Sequence, residues 1–145
     1  MHKTPSYGEN ILISNLKNTK MPNSKINLWV HLIWSTKHRA PVIESHIQNI
    51  IYDFIKKEFI KQGCHVSIIN GKPDHIHCLI AMNAIKSISE IMKQIKGSST
   101  YYINQNKLTK EKFSWQTGYS VYSVCPYHHS IIFNYIKNHT RRKIQ

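Results

Sequence analysis

The chain has 145 residues, of which 41% are hydrophobic, and this suits a single domain with one core. Its net charge of +13 at pH 7 indicates a polyanionic partner, with nucleic acid first and an anionic membrane surface second. No apolar run approaches the roughly 20 residues of a membrane span and the N-terminus lacks the apolar core of a signal peptide, which predicts a cytoplasmic protein that does not act in a membrane.

The N-terminal segment differs in composition from the rest of the chain. Residues 1–25 mix Ser, Asn, Lys and Pro around a short apolar patch at residues 11–13. Such a composition predicts a mobile N-terminal extension ahead of one domain over residues 26–145. Its excess of basic residues leaves weak contacts with nucleic acid open beside a purely solvated tail.

A strand and a basic turn open the domain. Residues 28–34 are apolar at nearly every position, which is typical of a central strand covered on both faces. The basic turn after it contributes Lys37 and Arg39, two candidate DNA contacts. Pro41 then opens a predicted helix that runs to Gly63, with isoleucines at helical spacing as its buried face.

A hairpin follows, and its second arm carries two histidines. The predicted strands cover residues 65–70 and 75–82, with a turn signal at residues 71–74. His75 and His77 leave one face of the second strand, because side chains alternate along a strand. Two such imidazoles can bind one metal ion. The pattern also arises by chance in a histidine-rich chain, so a partner elsewhere has to decide.

The next predicted element is a helix from Ser87 to Asn104. Ser87 and Glu90 have the spacing of a capping box, in which each side chain bonds the backbone N–H of the other residue. Lys93 and Lys96, with neighbouring hydroxyl side chains, form a basic edge suited to phosphates and are candidate DNA contacts. An ordinary solvated helix face would look the same.

The C-terminal part predicts a last strand over residues 119–124, ended by Pro126, and then a short helix. In that helix Tyr135 and His139 are four residues apart and share a face. A phenol beside an imidazole that can be a third metal ligand is the arrangement needed to attack a phosphodiester. The alternative is that Tyr135 packs in the core and His139 interacts with the helix C-terminus.

The predicted order of elements fits an α+β fold, the ferredoxin-like sandwich: an antiparallel sheet with two helices on one face, plus a C-terminal helix that carries the tyrosine. The same fold also supports a non-catalytic nucleic-acid-binding module of the RNA-recognition type, in which exposed aromatic residues stack on bases. Trp29, His31 and residues 119–122 are the candidates for such a platform. The paired histidine and tyrosine motifs argue against this module, because base stacking needs neither.

Taken in order, these motifs resemble the single-tyrosine HUH transposases of insertion sequences, a family related to the REP-associated tyrosine transposases. The resemblance runs from about Asn27 to Arg142. It rests on the blocks that begin at His31 (HLIWSTKHR), Pro73 (PDHIH, the HUH motif), Ser87 (SISEIMKQIKG), Phe113 (FSWQTGY) and Tyr135 (YIKNH).

The resemblance implies roles for four residues. His75 and His77 would be metal ligands, Tyr135 would be the nucleophile, and His139 would fill the third-ligand position that many members fill with glutamine. The metal would be Mg²⁺ or Mn²⁺, although three imidazoles by their softness suit manganese, zinc or cobalt better than magnesium.

The resemblance also implies the substrate and the assembly. The tyrosine would attack single-stranded DNA with hairpin ends and leave a 5′-phosphotyrosine link and a free 3′-hydroxyl. The protein would be a homodimer, in which the tyrosine helix can serve the partner's histidines. A further possibility is a decayed transposase that binds DNA hairpins without strand transfer.

Overall fold

A computed structural model of the protein describes residues 27–139, so the extension predicted for residues 1–25 lies outside the described part. The helices and strands are β1 (Trp29–Ser35), α1 (Ser45–Lys61), β2 (His65–Lys72), β3 (His75–Ala81), α2 (Ile88–Gln105), β4 (Ser120–Val124) and α3 (His129–Lys137). Short 3₁₀ turns at Lys37–Arg39 and Pro126–His128 precede α1 and α3. The predicted order of elements is confirmed.

The strands form one four-stranded sheet in the order β2-β3-β1-β4. Every pairing is antiparallel: β1 lies between β3 and β4, and β2 pairs with β3. This order is that of a ferredoxin-like sandwich, in which each helix connects two strands separated by a third. The predicted α+β fold class is therefore confirmed.

Alternating side chains on the central strands divide the apolar interior into two parts. Val30, Leu32 and Trp34 of β1 face α1 and α2 in the larger core. On the opposite face, Trp29 and Leu79 pack with Ile136 of α3 in a smaller core. Because neighbouring residues on a strand point to opposite faces, the odd-numbered residues of β1 and β3, including both histidines of the HUH motif, lie on the face that carries α3.

Helix α1 begins at Ser45, and the prediction that Pro41 opens it is wrong. The N–H of Ile43 donates to the carbonyl oxygen of Pro73 in the β2–β3 turn, at 3.0 Å, and the Ile43 side chain is buried. This tertiary contact holds the segment extended before the helix starts. The predicted end is confirmed, because Gly63 has a positive φ of 78° directly after the last turn.

Strand β2 contains a bulge between Val66 and Ile68, which the sequence did not predict. The bulge breaks the alternation of side chains, so Ser67 and Ile68 both lie on the side of α3. Ile68 packs against the smaller core, and the Ser67 hydroxyl is 2.8 Å from Nε2 of His129. The bulge therefore gives α3 a polar contact as well as an apolar one.

Helix α2 starts with the predicted capping box. The N–H of Glu90 donates to Oγ of Ser87 at 3.2 Å, and the N–H of Ser87 donates to the Glu90 carboxylate at 3.4 Å.

Neither this helix nor any other between residues 27 and 139 is both long and apolar enough to cross a bilayer.

Candidate active site

Three imidazoles meet on the sheet face that carries α3. His75 and His77 lie on β3, and His139 follows the end of α3. Their candidate ligand atoms all lie within 4.8 Å of one another, and Nε2 of His75 is 2.7 Å from Nε2 of His139. The rings of His77 and His139 have centroids 4.2 Å apart. The structure thus brings the two predicted motifs together in one cluster.

The cluster fits a divalent metal by its donor set. A metal ion is bound by histidine nitrogen at about 2.1 Å, and three nitrogens within 4.8 Å of one another have separations of the size that a shared ion requires. The Nε2 atoms of His75 and His139 face each other at hydrogen-bond distance, and both would have to be unprotonated to bind a metal ion. His75 and His77 also line an open cleft, which leaves room for oxygen ligands from water or phosphate.

Asp74 orients the first histidine of the motif. Its Oδ1 is 2.7 Å from Nδ1 of His75, and Nη2 of Arg39 is 3.1 Å from its Oδ2. A carboxylate at Nδ1 keeps the proton on that nitrogen and leaves Nε2 for a metal. Burial opposes the charge on Asp74, but the hydrogen bond and charge of His75, together with Arg39, outweigh it and lower the pKa of the carboxyl. Sequence reasoning placed Asp74 in the turn and gave it no role.

His31 contacts Nδ1 of the second histidine, His77, as Asp74 contacts Nδ1 of the first. Its Nε2 is 2.8 Å from Nδ1 of His77, and both side chains are buried. Burial first, and then the neighbouring imidazoles, lower the pKa of His77 to about 3, and burial also lowers the pKa of His31. His77 is therefore neutral at physiological pH, which is the form that binds a metal.

The aromatic platform of the alternative reading is only partly present. Trp29 is fully buried and His31 is buried against His77, so neither ring is available to stack on a base. Tyr122 is 58% exposed and lies beside His31, with ring centroids 6.3 Å apart. Tyr119, just before β4, is 37% exposed, so the exposed rings of the candidate platform are Tyr119 and Tyr122, whereas both of its rings on the central strand β1 are buried. An RNA-recognition surface stacks bases on exposed aromatic rings across the sheet.

Tyr135 projects from α3 toward the imidazoles. Its ring centroid is 6.0 Å from that of His77 and 5.8 Å from that of His139. The sequence predicted His139 on the same helix as Tyr135, but α3 ends at Lys137 and His139 lies just beyond its C-cap, Asn138. The two rings are nevertheless neighbours beside the cluster.

A polar cleft of about 540 Å³ opens beside the cluster. Its lining includes His75, His77, Arg39, Gly118 and Tyr119. Arg39 belongs to the basic 3₁₀ turn and has a positive φ of 52°, as has its neighbour His38 with 57°. Backbone in this region is strained for residues other than glycine, and such strain often occurs at functional sites.

The predicted DNA contacts occupy different settings. Lys37 and Arg39 are exposed on the basic turn, and Lys93 is exposed on α2. Lys96 is instead engaged, since its ammonium group donates to the carbonyl oxygens of Gln116 at 2.7 Å and Gly118 at 2.9 Å. Lys96 thereby holds the loop that forms one wall of the cleft. DNA contact by Lys37, Arg39 and Lys93 stays a prediction, and for Lys96 the same prediction competes with this structural role.

Comparisons with known proteins agree with one another. The family model described as "Transposase IS200 like" matches residues 24–139. The ISDra2 transposase TnpA of Deinococcus radiodurans is 24% identical over 113 residues, which cover 74% of this chain and 81% of that protein.

Two solved structures share the fold. A crystallised protein assigned as a transposase in Deinococcus radiodurans R1 aligns with a TM-score of 0.65 and 23% identity, over 82% of this chain and 96% of that one. A REP-associated tyrosine transposase bound to a REP hairpin aligns with a TM-score of 0.60 and 14% identity, over 83% and 72% of the two chains. Because the family model covers well over half of the sequence, the chain belongs to the IS200-like family of single-tyrosine transposases.

Proposed function

We propose that this transposase cleaves and rejoins single-stranded DNA at insertion-sequence ends through a covalent 5′-phosphotyrosine on Tyr135. The observation that carries the proposal is the position of Tyr135, about 6 Å by ring centroids from both His77 and His139, beside a cleft open to a DNA strand. Stacking on bases requires neither a cluster of neutral imidazoles nor a tyrosine facing it. A metal-assisted attack on a phosphodiester by a phenol uses both a cluster of imidazoles and a tyrosine beside it.

His75, His77 and His139 are the residues that would hold a divalent metal, Mg²⁺ or Mn²⁺, and this ion would polarise a phosphate oxygen. Asp74 and His31 keep the Nδ1 protons of the two strand histidines in place, so that each presents Nε2 toward the cleft. This arrangement fixes the rings before DNA binds, which reduces the reorganisation that the reaction needs.

Tyr135 supplies the nucleophilic oxygen. The phenol oxygen forms a bond to phosphorus, and the bond from phosphorus to the 3′-oxygen breaks. The phenol releases its proton to solvent, and the leaving 3′-oxygen takes up a proton from solvent and becomes a hydroxyl. A free tyrosine has a pKa near 10, so the phenol loses its proton as it attacks. One phosphodiester replaces another, and the reverse step therefore rejoins DNA without an external energy source.

DNA with hairpin ends is the proposed partner. The related REP-associated transposase is bound to a REP hairpin, and this chain has both the same fold and a strong excess of positive charge. Arg39 lines the cleft, and Lys37 and Lys93 are exposed, so each can contact a phosphate. Cytoplasmic localisation follows from such a partner and is proposed with it.

We also propose a homodimer, and the edge of the sheet supports it. Strand β4 has no partner on its outer side within residues 27–139, and its exposed residues include Val121 and Tyr122. An open edge strand is a ready site for pairing with a second copy. In sedimentation experiments we expect the wild type to be a dimer and the Val121→Lys protein to be a monomer. A dimer of unchanged stability in that variant would place the interface elsewhere.

The test of the reaction uses labelled single-stranded DNA from the flanks of the gene, with Mn²⁺, on a denaturing gel. The wild type should form a covalent adduct that EDTA prevents. Tyr135→Phe should lose the adduct but keep DNA and metal binding, because the ring remains and only the hydroxyl is removed. The exposed Tyr127 is the matched control, and Tyr127→Phe should retain the adduct.

The adduct gel, together with separate measurements of DNA binding and of Mn²⁺ affinity, separates the alternatives. DNA binding without any adduct in the wild type would indicate a module that only binds hairpins. An adduct that persists in His75→Ala, His77→Ala protein, with unchanged Mn²⁺ affinity by calorimetry, would remove these histidines from the proposed site.

A further inference from the structure

The side chain of Asn70 connects β2 to the end of α3. Its Nδ2 donates to the carbonyl oxygens of Ile136 at 2.9 Å and Lys137 at 3.2 Å. Both acceptors are carbonyl groups, so only the NH₂ side of the amide can face them. They belong to the last turn of α3, where carbonyls lack regular partners within the helix.

The place of this contact relates it to the reaction. Ile136 and Lys137 lie in the chain between Tyr135 and His139, and Asn70 is directly opposite His77 in the pairing of β2 with β3. The Asn70 amide therefore links the strand beside His77 to the stretch of backbone between the tyrosine and the third imidazole.

We propose that Asn70 is a positioning residue, which sets Tyr135 and His139 against His77. The inference rests on the proposed function. It adds a residue that touches neither DNA nor metal and that acts through the backbone of α3.

Helix α3 needs such a contact because it is short. Its nine residues are too few for a stable helix in isolation, and Ile136 is its one buried side chain. Strand β2 holds it at both ends, since Ser67 bonds His129 at the first turn and Asn70 bonds the last. Only the Asn70 end carries reactive groups, and a displacement of about 1 Å there can cost about 100-fold in rate.

The experiment compares three full-length variants. Asn70→Asp keeps the shape of the side chain but replaces the donor by an oxygen that repels the two carbonyls, whereas Asn70→Gln keeps the donor. Asn134→Asp is the matched control, because it makes the same charge change at an exposed position of α3, the helix that Asn70 contacts. The measurements are the single-turnover rate of adduct formation, the affinity for the same DNA, and amide hydrogen exchange of the metal-free protein.

Asn70→Asp should form the adduct about 30- to 100-fold more slowly, with DNA affinity within about twofold of the wild type. Amides of residues 134–139 should lose protection while those of α1 keep it. Asn70→Gln should recover most of the rate, and Asn134→Asp should behave as the wild type. A general structural defect would instead lower protection in α1 and DNA affinity together.

A wild-type rate in Asn70→Asp would overturn the inference, as would loss of protection throughout the domain. If the wild type itself forms no adduct, the proposed function fails on its own. Hydrogen exchange then decides about Asn70 separately: unchanged protection of residues 134–139 in Asn70→Asp would overturn its role in holding α3.

Discussion

Lys96 can be tested for two different roles: holding the loop that walls the cleft, or contacting DNA. Its ammonium group donates to the carbonyls of Gln116 and Gly118, and Gly118 has a positive φ of 89° that residues with a side chain rarely adopt. Burial lowers the pKa of Lys96. Lys96→Met, which keeps the length of the side chain and removes the donor, should therefore loosen the loop that walls the cleft.

The expected size of this effect follows from the two hydrogen bonds. A bond from a charged donor contributes about 1.5–3 kcal/mol when buried, and Lys96 is only partly buried, so about 2 kcal/mol for the pair is a fair expectation. Lys93 lies one turn earlier on the same helix and is exposed. Lys93→Met should therefore change the free energy of unfolding by less than about 0.5 kcal/mol.

The assay measures urea unfolding and the salt dependence of single-stranded DNA binding for both variants. Each phosphate contact contributes about 0.7 to the slope of log affinity against log salt. Lys93→Met should reduce the slope by about that amount, whereas Lys96→Met should leave it unchanged. A Lys96→Met protein of wild-type stability with a reduced slope would refute this reasoning and make Lys96 a phosphate contact.

Three further predictions concern the surroundings of the histidines. A methyl group at Gly71 would meet the backbone oxygen of His75, so Gly71→Ala should destabilise the domain by about 1–3 kcal/mol in urea unfolding, and a neutral result would mean that the hairpin yields easily. His31→Phe removes the partner of His77 and should weaken Mn²⁺ binding about 10- to 100-fold by calorimetry, unless ring orientation is set by packing alone. The folded pKa of His77, about 3, lies below the unfolded value of about 6.5, so the unfolded state takes up the proton first. The contribution of His77 to the free energy of unfolding of the metal-free protein should thus be fully present above about pH 6.5 and decrease toward pH 3. The free energy of unfolding of His77→Gln should decrease less over the same pH range.

The elements and two site motifs could be predicted because they depend on local periodicity. His75 and His77 are two apart on a strand and share a face whatever the tertiary structure. Tyr135 and His139 are four apart, and the helical spacing predicted that they would be neighbours, although α3 ends at Lys137, two residues before His139. That the two pairs meet was expected from the family resemblance. Spacing alone left both of them open to ordinary packing.

The residues that sequence reasoning missed act across strands. His31 reaches His77 because β1 and β3 pair with Ile33 opposite His77, and Asn70 reaches α3 because it is opposite His77 on β2. Neither register can be read from alternation alone. The predicted start of α1 was wrong for a similar reason. Pro41 favours a first helical turn, but a hydrogen bond from Ile43 to the distant Pro73 keeps the segment extended.

The central claim is that Tyr135 carries the DNA. Its most direct test is mass spectrometry of the peptide linked to DNA after reaction with Mn²⁺, using strands labelled at either end. We expect one modified peptide, with the bond at Tyr135 to a 5′-phosphate and a free 3′-hydroxyl on the released strand. A bond at Tyr119, Tyr122 or Tyr127, or a link through a 3′-phosphate, would contradict it.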